Sequence, residues 1–219
     1  MKSNRIMVLC GLAVVLAVWP GVAGANLIAN GGFESGSIGP ATSAYDLITV
    51  PYPPTGVMAA TTYAVVTSPY AWHIARTDFA PHSGEFMMML NGATTAGVSV
   101  WQEVVTGLTP GQAYEFSFYS KSWLDTVYAS LQTSINGDVL GTADVPLFGN
   151  DWAQSSYIWV ADGTGSATIN LVDLNLEAGG NDFCIDDLAF SAVVPAPGAI
   201  LLAGLGAGLV GMLRRRHAV

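Results

Sequence analysis

Apolar and polar side chains alternate most cleanly over residues 112–120. There Tyr114, Phe116 and Phe118 interleave with Glu115, Ser117 and Tyr119, just after the turn Leu108-Thr109-Pro110-Gly111. A period of two puts one set on a buried face and the other in water, which predicts a half-buried strand. Asn136-Gly137 separates the strand-like runs 128–135 and 139–142, and a two-residue type I′ turn favours this dipeptide because both positions take positive φ. Further runs at 85–90, 98–105, 152–161, 166–176 and 183–192 predict strands, with Asp162-Gly163-Thr164-Gly165 as a turn between two of them. Within Phe86–Leu90, the run Met87-Met88-Met89 reads as a buried strand rather than a soft-metal site. Over residues 36–69, Pro40, Pro51, Pro53, Pro54 and Pro69 predict long loops with one or two edge strands. No stretch between the two termini keeps a helical period. Many short strands joined by Gly, Pro and Asn turns predict an all-β fold, a β-sandwich of jelly-roll type.

The two ends differ from this middle. Lys2 and Arg5, an apolar run from Ile6 to Trp19 and the small-residue triplet Ala23-Gly24-Ala25 form a signal peptide, so the mature chain is expected to start at Asn26. Leu9 precedes Cys10 where a lipid-anchoring motif needs a small residue. At the other end, Pro195-Ala196-Pro197-Gly198 opens an uncharged run to Leu213, closed by Arg214-Arg215-Arg216. The run from Gly198 to Leu213 would be about 24 Å long as a helix, against roughly 30 Å of bilayer hydrocarbon, so it holds a chain in a membrane only marginally. Its Gly204 to Gly208 spacing suits close helix approach, and the arginines make a cytoplasmic stop. This order of parts resembles the PEP-CTERM sorting signal. The resemblance implies export through the Sec machinery and a transient inner-membrane anchor. It also implies cleavage by an exosortase near the Pro-x-Pro motif and delivery to the cell surface or beyond. The usual acidic residue between the prolines is Ala196 here, which leaves the exosortase subtype open. The expected organisation is a signal peptide at 1–25, an ectodomain at 26–192 and a sorting signal at 193–219.

Removing both ends changes the charge. The ectodomain keeps all sixteen acidic residues and only Arg76 and Lys121 as bases, a formal charge of −14. That field repels nucleic acid and anionic lipid and favours cations. Cys184 is the one cysteine left, so no internal disulfide is expected.

Four stretches resemble the galactose-binding-like jelly-roll modules, in particular carbohydrate-binding modules related to families 4, 9 and 22. They are Asn26-Leu27-Ile28-Ala29-Asn30-Gly31-Gly32-Phe33-Glu34, Trp72 with His82-Ser83-Gly84-Glu85-Phe86, the block from Gln102 to Phe118, and Phe183-Cys184-Ile185-Asp186-Asp187-Leu188. The resemblance implies that the first and last strands meet at one edge, bringing Glu34 near Asp186 and Asp187, where related modules hold a structural calcium. Carboxylates with no nearby cation repel, and Ca²⁺ takes oxygen ligands. Strand parity would put Asp186 on one face with Cys184, Leu188 and Phe190 and send Asp187 to the other, which ranks Asp186 first as a ligand.

Among the aromatics, Phe33, Tyr114, Phe116 and Phe118 are expected in the core, and Trp72 and Trp152, at strand starts, as fold signatures. Trp123, within Lys121-Ser122-Trp123-Leu124-Asp125 between two strands, is expected on a loop, its indole free to stack on a sugar ring, with Trp101, Tyr119 and Tyr128 as companions. Catalysis finds little support: there is no nucleophile elbow, no zinc-protease motif, no phosphate loop and no Cys-x-x-Cys, and only His73 and His82 fall in the ectodomain, although sixteen acids leave a carboxylate pair for glycoside hydrolysis open. The sequence therefore predicts a non-catalytic, exported module that associates with polysaccharide or extracellular matrix. The alternatives are an adhesive surface protein without glycan binding and a secreted polysaccharide hydrolase.

Overall fold

The structure is a computed structural model that describes residues 24–51, 59–72, 78–124, 127–147, 149, 151–177, 179–193, 204–206 and 208–210. The chain divides into two units, and the described residues of the larger, Gly24–Val193, are all-β apart from one short 3-10 turn. Its strands are β1 (Asp46–Leu47), β2 (Thr62–Val66), β3 (Met87–Asn91), β4 (Ser99–Thr106), β5 (Ala113–Ser122), β6 (Ser130–Ile135), β7 (Asp138–Asp144), β8 (Ala153–Val160), β9 (Ser166–Asp173) and β10 (Asp182–Ala192). They form a six-stranded sheet in the order β1-β2-β3-β10-β5-β8 and a four-stranded sheet in the order β4-β9-β6-β7. Every pairing is antiparallel except β1 with β2.

The expected alternation builds the core. From β5, Tyr114, Phe116 and Phe118 face Trp101 of β4, Leu131 and Ile135 of β6, and Ile169 and Leu171 of β9. Each such side chain contributes about 1.5–3 kcal/mol by leaving water. The Trp101 and Phe116 rings are 6.2 Å apart at 16°. The Asn136-Gly137 turn closes β6 onto β7, with φ of 53° and 89° at the two residues, as the hairpin requires. In the proline-rich stretch, β1 is a sheet edge, whereas β2 lies inside the sheet between β1 and β3.

Two expectations about β10 change. It is central, flanked by β3 and β5, so the chain's opening segment does not meet it at an edge. Instead, β3 pairs only with its first half, and residues 26–31 run beside the second half, with Leu27 N donating to Phe190 O at 2.8 Å and Leu188 N to Gly31 O at 3.0 Å. Between the halves a bulge spans Asp186 to Ala189, with Asp187 in the left-handed region at φ 49°. A bulge adds one residue and breaks parity. Cys184, before it, packs on the outer face of the sheet, while Leu188 and Phe190, beyond it, belong to the inner core.

Residues 204–206 and 208–210 of the smaller unit are helical, with Leu205, Leu209 and Val210 exposed. Among the described residues no helix is long and apolar enough to cross a membrane. Residues 1–23 of the signal peptide, Pro195, Pro197, Gly198 and Arg214 to Arg216 lie outside the described residues.

Candidate functional site

The six-stranded sheet buries its inner face and, over β2, β3 and the first half of β10, part of its outer face. Besides the core facing the second sheet, an outer apolar layer holds Ala64 and Val66 of β2, Met87 and Met89 of β3, Cys184 of β10, and Trp123. Ile48, Trp72, Phe79, Leu124 and Trp152 pack on it partly buried. The Met run is therefore structural, with Met88 facing inward and its neighbours outward. Burial pushes the free Cys184 thiol well up, which makes it a packing residue.

The sequence-predicted sugar platform does not stand. Trp123 is 0% exposed, and its indole Nε1 donates to the Leu90 carbonyl at 3.0 Å. An apolar outer layer was available to cover the loop, so the indole went inward rather than into water. Trp101 is also buried, stacked in the core. Tyr128 is 48% exposed but stands outside this aromatic layer. Tyr119 is half-buried, its ring stacked on His82 with centroids 3.5 Å apart at 14°.

The partly exposed aromatic surface includes the two tryptophans that sequence reasoning set aside as fold signatures, Trp72 and Trp152, together with the expected companion Tyr119. Trp72 lines a cleft of about 280 Å³ with Gly36, Ile38, Leu47, Ile48 and Tyr63, and Ser37 and Thr49 belong to the same wall. A little apart, Phe79, His82, Tyr119 and Trp152 form a second group, with Trp152 edge-on to Phe79 at 5.9 Å and to His82 at 6.0 Å. Lys121 Nζ sits 4.9 Å from the Phe79 ring centre, within cation–π range. β5 and β8 continue this face with Glu115, Ser117, Gln154 and Ser156, where Ser156 Oγ donates to Glu115. Apolar rings ringed by hydroxyl and amide groups suit a sugar, whose C–H face stacks while its hydroxyls exchange hydrogen bonds. The signal available in sequence was weak: Trp72 and Trp152 flank turns and short strands, and nothing in their spacing tells a half-covered ring from a buried one.

Glu34, Asp186 and Asp187 do come together, around the loop 82–86. Glu34 accepts from Glu85 N at 3.1 and 3.0 Å and from Phe86 N at 3.1 Å. The chain can pass this close because residue 84 is glycine at φ +64°; a Cβ there would stand 2.2 Å from Glu34 Oε1. Asp186 Oδ2 accepts from His82 N at 2.8 Å and Ser83 N at 3.3 Å, and its Oδ1 from Asp187 N at 2.7 Å. Asp187 Oδ1 accepts from Ser83 Oγ at 2.7 Å, and its Oδ2 lies 2.6 Å from His82 Nδ1. The bulge thus turns both aspartates to the same loop and overturns the parity argument that separated them. Burial pushes the Asp186 carboxyl up to about 7, with the Asp187 charge adding to the rise. Every oxygen of the three carboxylates already meets a protein donor. Among the described residues no three His, Cys, Asp or Glu side chains are grouped to hold a metal. As folded, this donor set does not fit the expected calcium, because the 82–86 loop fills the space between the carboxylates with N–H and O–H groups.

The two packed sheets define the class: this is an all-β sandwich, a fold that solved carbohydrate-binding modules also have. No family model and no curated protein matches the chain. Among solved structures, it is similar to the CBM22-1–CBM22-2 tandem domain from Paenibacillus barcinonensis Xyn10C, with a TM-score of 0.51 and 17% identity over 83% of this chain and 49% of that one. The chain thus spans about half the length of that tandem domain. It is similar to TmCBM61, solved with β-1,4-galactotriose, with a TM-score of 0.50 and 20% identity over 77% and 99% of the two chains. It is also similar to the Stig cyclase Fisc from Fischerella sp. TAU, with a TM-score of 0.54 and 16% identity over 80% and 100%. Likeness at these identities establishes the fold alone.

Proposed function

We propose that the ectodomain is a non-catalytic carbohydrate-binding module that attaches to polysaccharide or extracellular matrix through the Trp72 cleft at the β1 edge of its six-stranded sheet. The observation that carries this reading is Trp72, a partly exposed residue in the wall of the 280 Å³ cleft that Ser37 and Thr49 also line. Concave sites lined by apolar rings with a few polar groups are the usual form of small-ligand sites. The fold supports the same reading, since solved carbohydrate-binding modules share it. The test is affinity electrophoresis of the ectodomain through gels containing soluble polysaccharides, comparing wild type with Trp72→Ala. Retardation by at least one polysaccharide that is lost in the variant supports the site. No retardation by any would favour an adhesive protein without glycan binding, and release of reducing sugar would favour a hydrolase.

The reading of the termini completes the proposal. The Sec machinery exports the chain, the C-terminal run holds it briefly in the inner membrane, and an exosortase releases the module to the cell surface or the exterior. The support is the three-part layout of Pro195-x-Pro197-Gly198, an uncharged run and Arg214-Arg215-Arg216.

A further inference from the structure

The Trp72 cleft is more apolar than a site for a fully hydroxylated sugar needs to be, and the reason lies in where it opens. Ile38 and Val65 pack against the core between the sheets, whereas Ile48 and Trp72 pack against the outer layer, so both apolar layers reach the cleft at the β1 edge. Leu47, on β1 itself and 56% exposed, adds a further aliphatic side chain to the lining. Polar groups are few there. Ser37 is engaged within its own turn, its Oγ 2.8 Å from Ser35 Oγ and accepting from Gly39 N at 3.2 Å. Thr49 and Tyr63 bring the other side-chain hydroxyls among the described lining residues, and Tyr63 is only 7% exposed.

Charge is missing as well. No described lining residue carries one. Residues 34–72, which hold that lining, include Glu34 and Asp46 and no lysine or arginine. The ectodomain as a whole sets sixteen acids against Arg76 and Lys121, and Lys121 Nζ lies over Phe79 in the other aromatic group. A sugar carboxylate or sulfate would therefore meet a negative field and no counter-charge in the lining. A hydroxyl pressed onto aliphatic side chains loses its hydrogen bonds to water without replacement. A methyl group gains in the same place, because burial of apolar surface is favourable. At about 280 Å³ the cleft lies at the small end of ligand sites, which run from about 300 to 1,000 Å³, and this suits one ring with its substituent rather than a long run of chain.

We infer that the cleft selects an uncharged sugar residue bearing a methyl group, with the sugar ring on Trp72 and the methyl group among Ile38, Leu47, Ile48 and Val65. The 6-methyl group of a deoxyhexose and the acetyl group of an esterified sugar offer this same chemistry. The inference rests on the reading of the cleft as the glycan site and adds what the glycan must carry.

The test is affinity electrophoresis of the full chain through gels holding two matched pairs of polymers and one charged polymer. The first pair is O-acetylated glucomannan before and after alkaline de-esterification; the second is polyacrylamide bearing 6-deoxygalactose or galactose; the charged polymer is polygalacturonate. In at least one pair the methyl-bearing member should bind tenfold or more tightly, the scale on which a hydrophobic pocket distinguishes one methylene, and the pair that shows it identifies the source of the methyl group. Polygalacturonate should bind more weakly than either methyl-bearing polymer. Leu47→Ser should shrink the ratio within the pair, whereas Trp72→Ala should weaken both of its members. Trp72-dependent binding that is equal within both pairs, or strongest for polygalacturonate, overturns the inference and leaves the glycan reading standing. Binding of none of the five polymers overturns it too, and binding that Trp72→Ala does not touch ends both readings.

Discussion

Replacing Trp123 by alanine separates a structural role from a ligand-binding one. The indole is fully buried between the loop after β5 and the outer layer of Ala64, Val66, Met87, Met89 and Cys184, and it donates to Leu90 O at 3.0 Å. Truncating a buried tryptophan to alanine removes its transfer energy and leaves a cavity, together worth about 3–5 kcal/mol. At roughly 2–4 °C per kcal/mol for a domain of this size, the thermal midpoint should fall by about 6–20 °C. Urea unfolding followed by tryptophan fluorescence would read the change as a shift of midpoint at constant slope. Any glycan affinity of the folded fraction should survive, because this indole reaches no solvent. A stability loss below about 1 kcal/mol, or loss of glycan binding without loss of stability, would refute the placement.

Two further outcomes follow from the acids and the termini. Burial raises the Asp173 carboxyl to about 6 and those of Asp182 and Asp186 to about 7, all above the ordinary value near 4. For acids raised in the folded state, the folded form binds more protons, so stability is fullest below pH 4 and falls as pH rises toward 7. Melts in chelator from pH 4 to 8 should show a midpoint that declines to about pH 7 and then levels, and a midpoint that climbs through that interval contradicts the burial argument. Mass spectrometry of the protein from a host with an active exosortase should find Asn26 at the amino terminus and no Arg214, Arg215 or Arg216. A membrane-bound form keeping the three arginines would sink the processing scheme.

What was legible in the sequence was whatever depended on local pattern. Tyr114, Phe116 and Phe118 lie in the core because period-two alternation decides facing within one strand. Asn136-Gly137 forms its hairpin because the dipeptide meets a backbone requirement on its own. The convergence of Glu34, Asp186 and Asp187 was also within reach, through the resemblance of the opening and closing stretches to galactose-binding-like modules. The bulge at Asp187 was not legible: one left-handed residue in a run of strand formers leaves no mark in the pattern, yet it turns both aspartates to the same loop. Tertiary cover decided the tryptophans in the same way. Trp123 sits in a loop by sequence, but the outer layer takes it in, whereas Trp72 keeps part of its ring in a cleft that residues 36–39 and 47–49 help to wall.

The most direct test of the glycan-binding account is the affinity of the folded ectodomain for a polysaccharide it recognises, measured for wild type and for Trp72→Ala by isothermal titration. Loss of one stacked ring should weaken binding by about 1–3 kcal/mol, by analogy with stacking of bases on aromatic side chains, a rise of about 5- to 150-fold in dissociation constant. The thermal midpoint should stay within a few degrees of wild type, since the indole is only partly buried. Unchanged affinity in Trp72→Ala, with binding abolished instead by a substitution on the four-stranded sheet, would contradict the account.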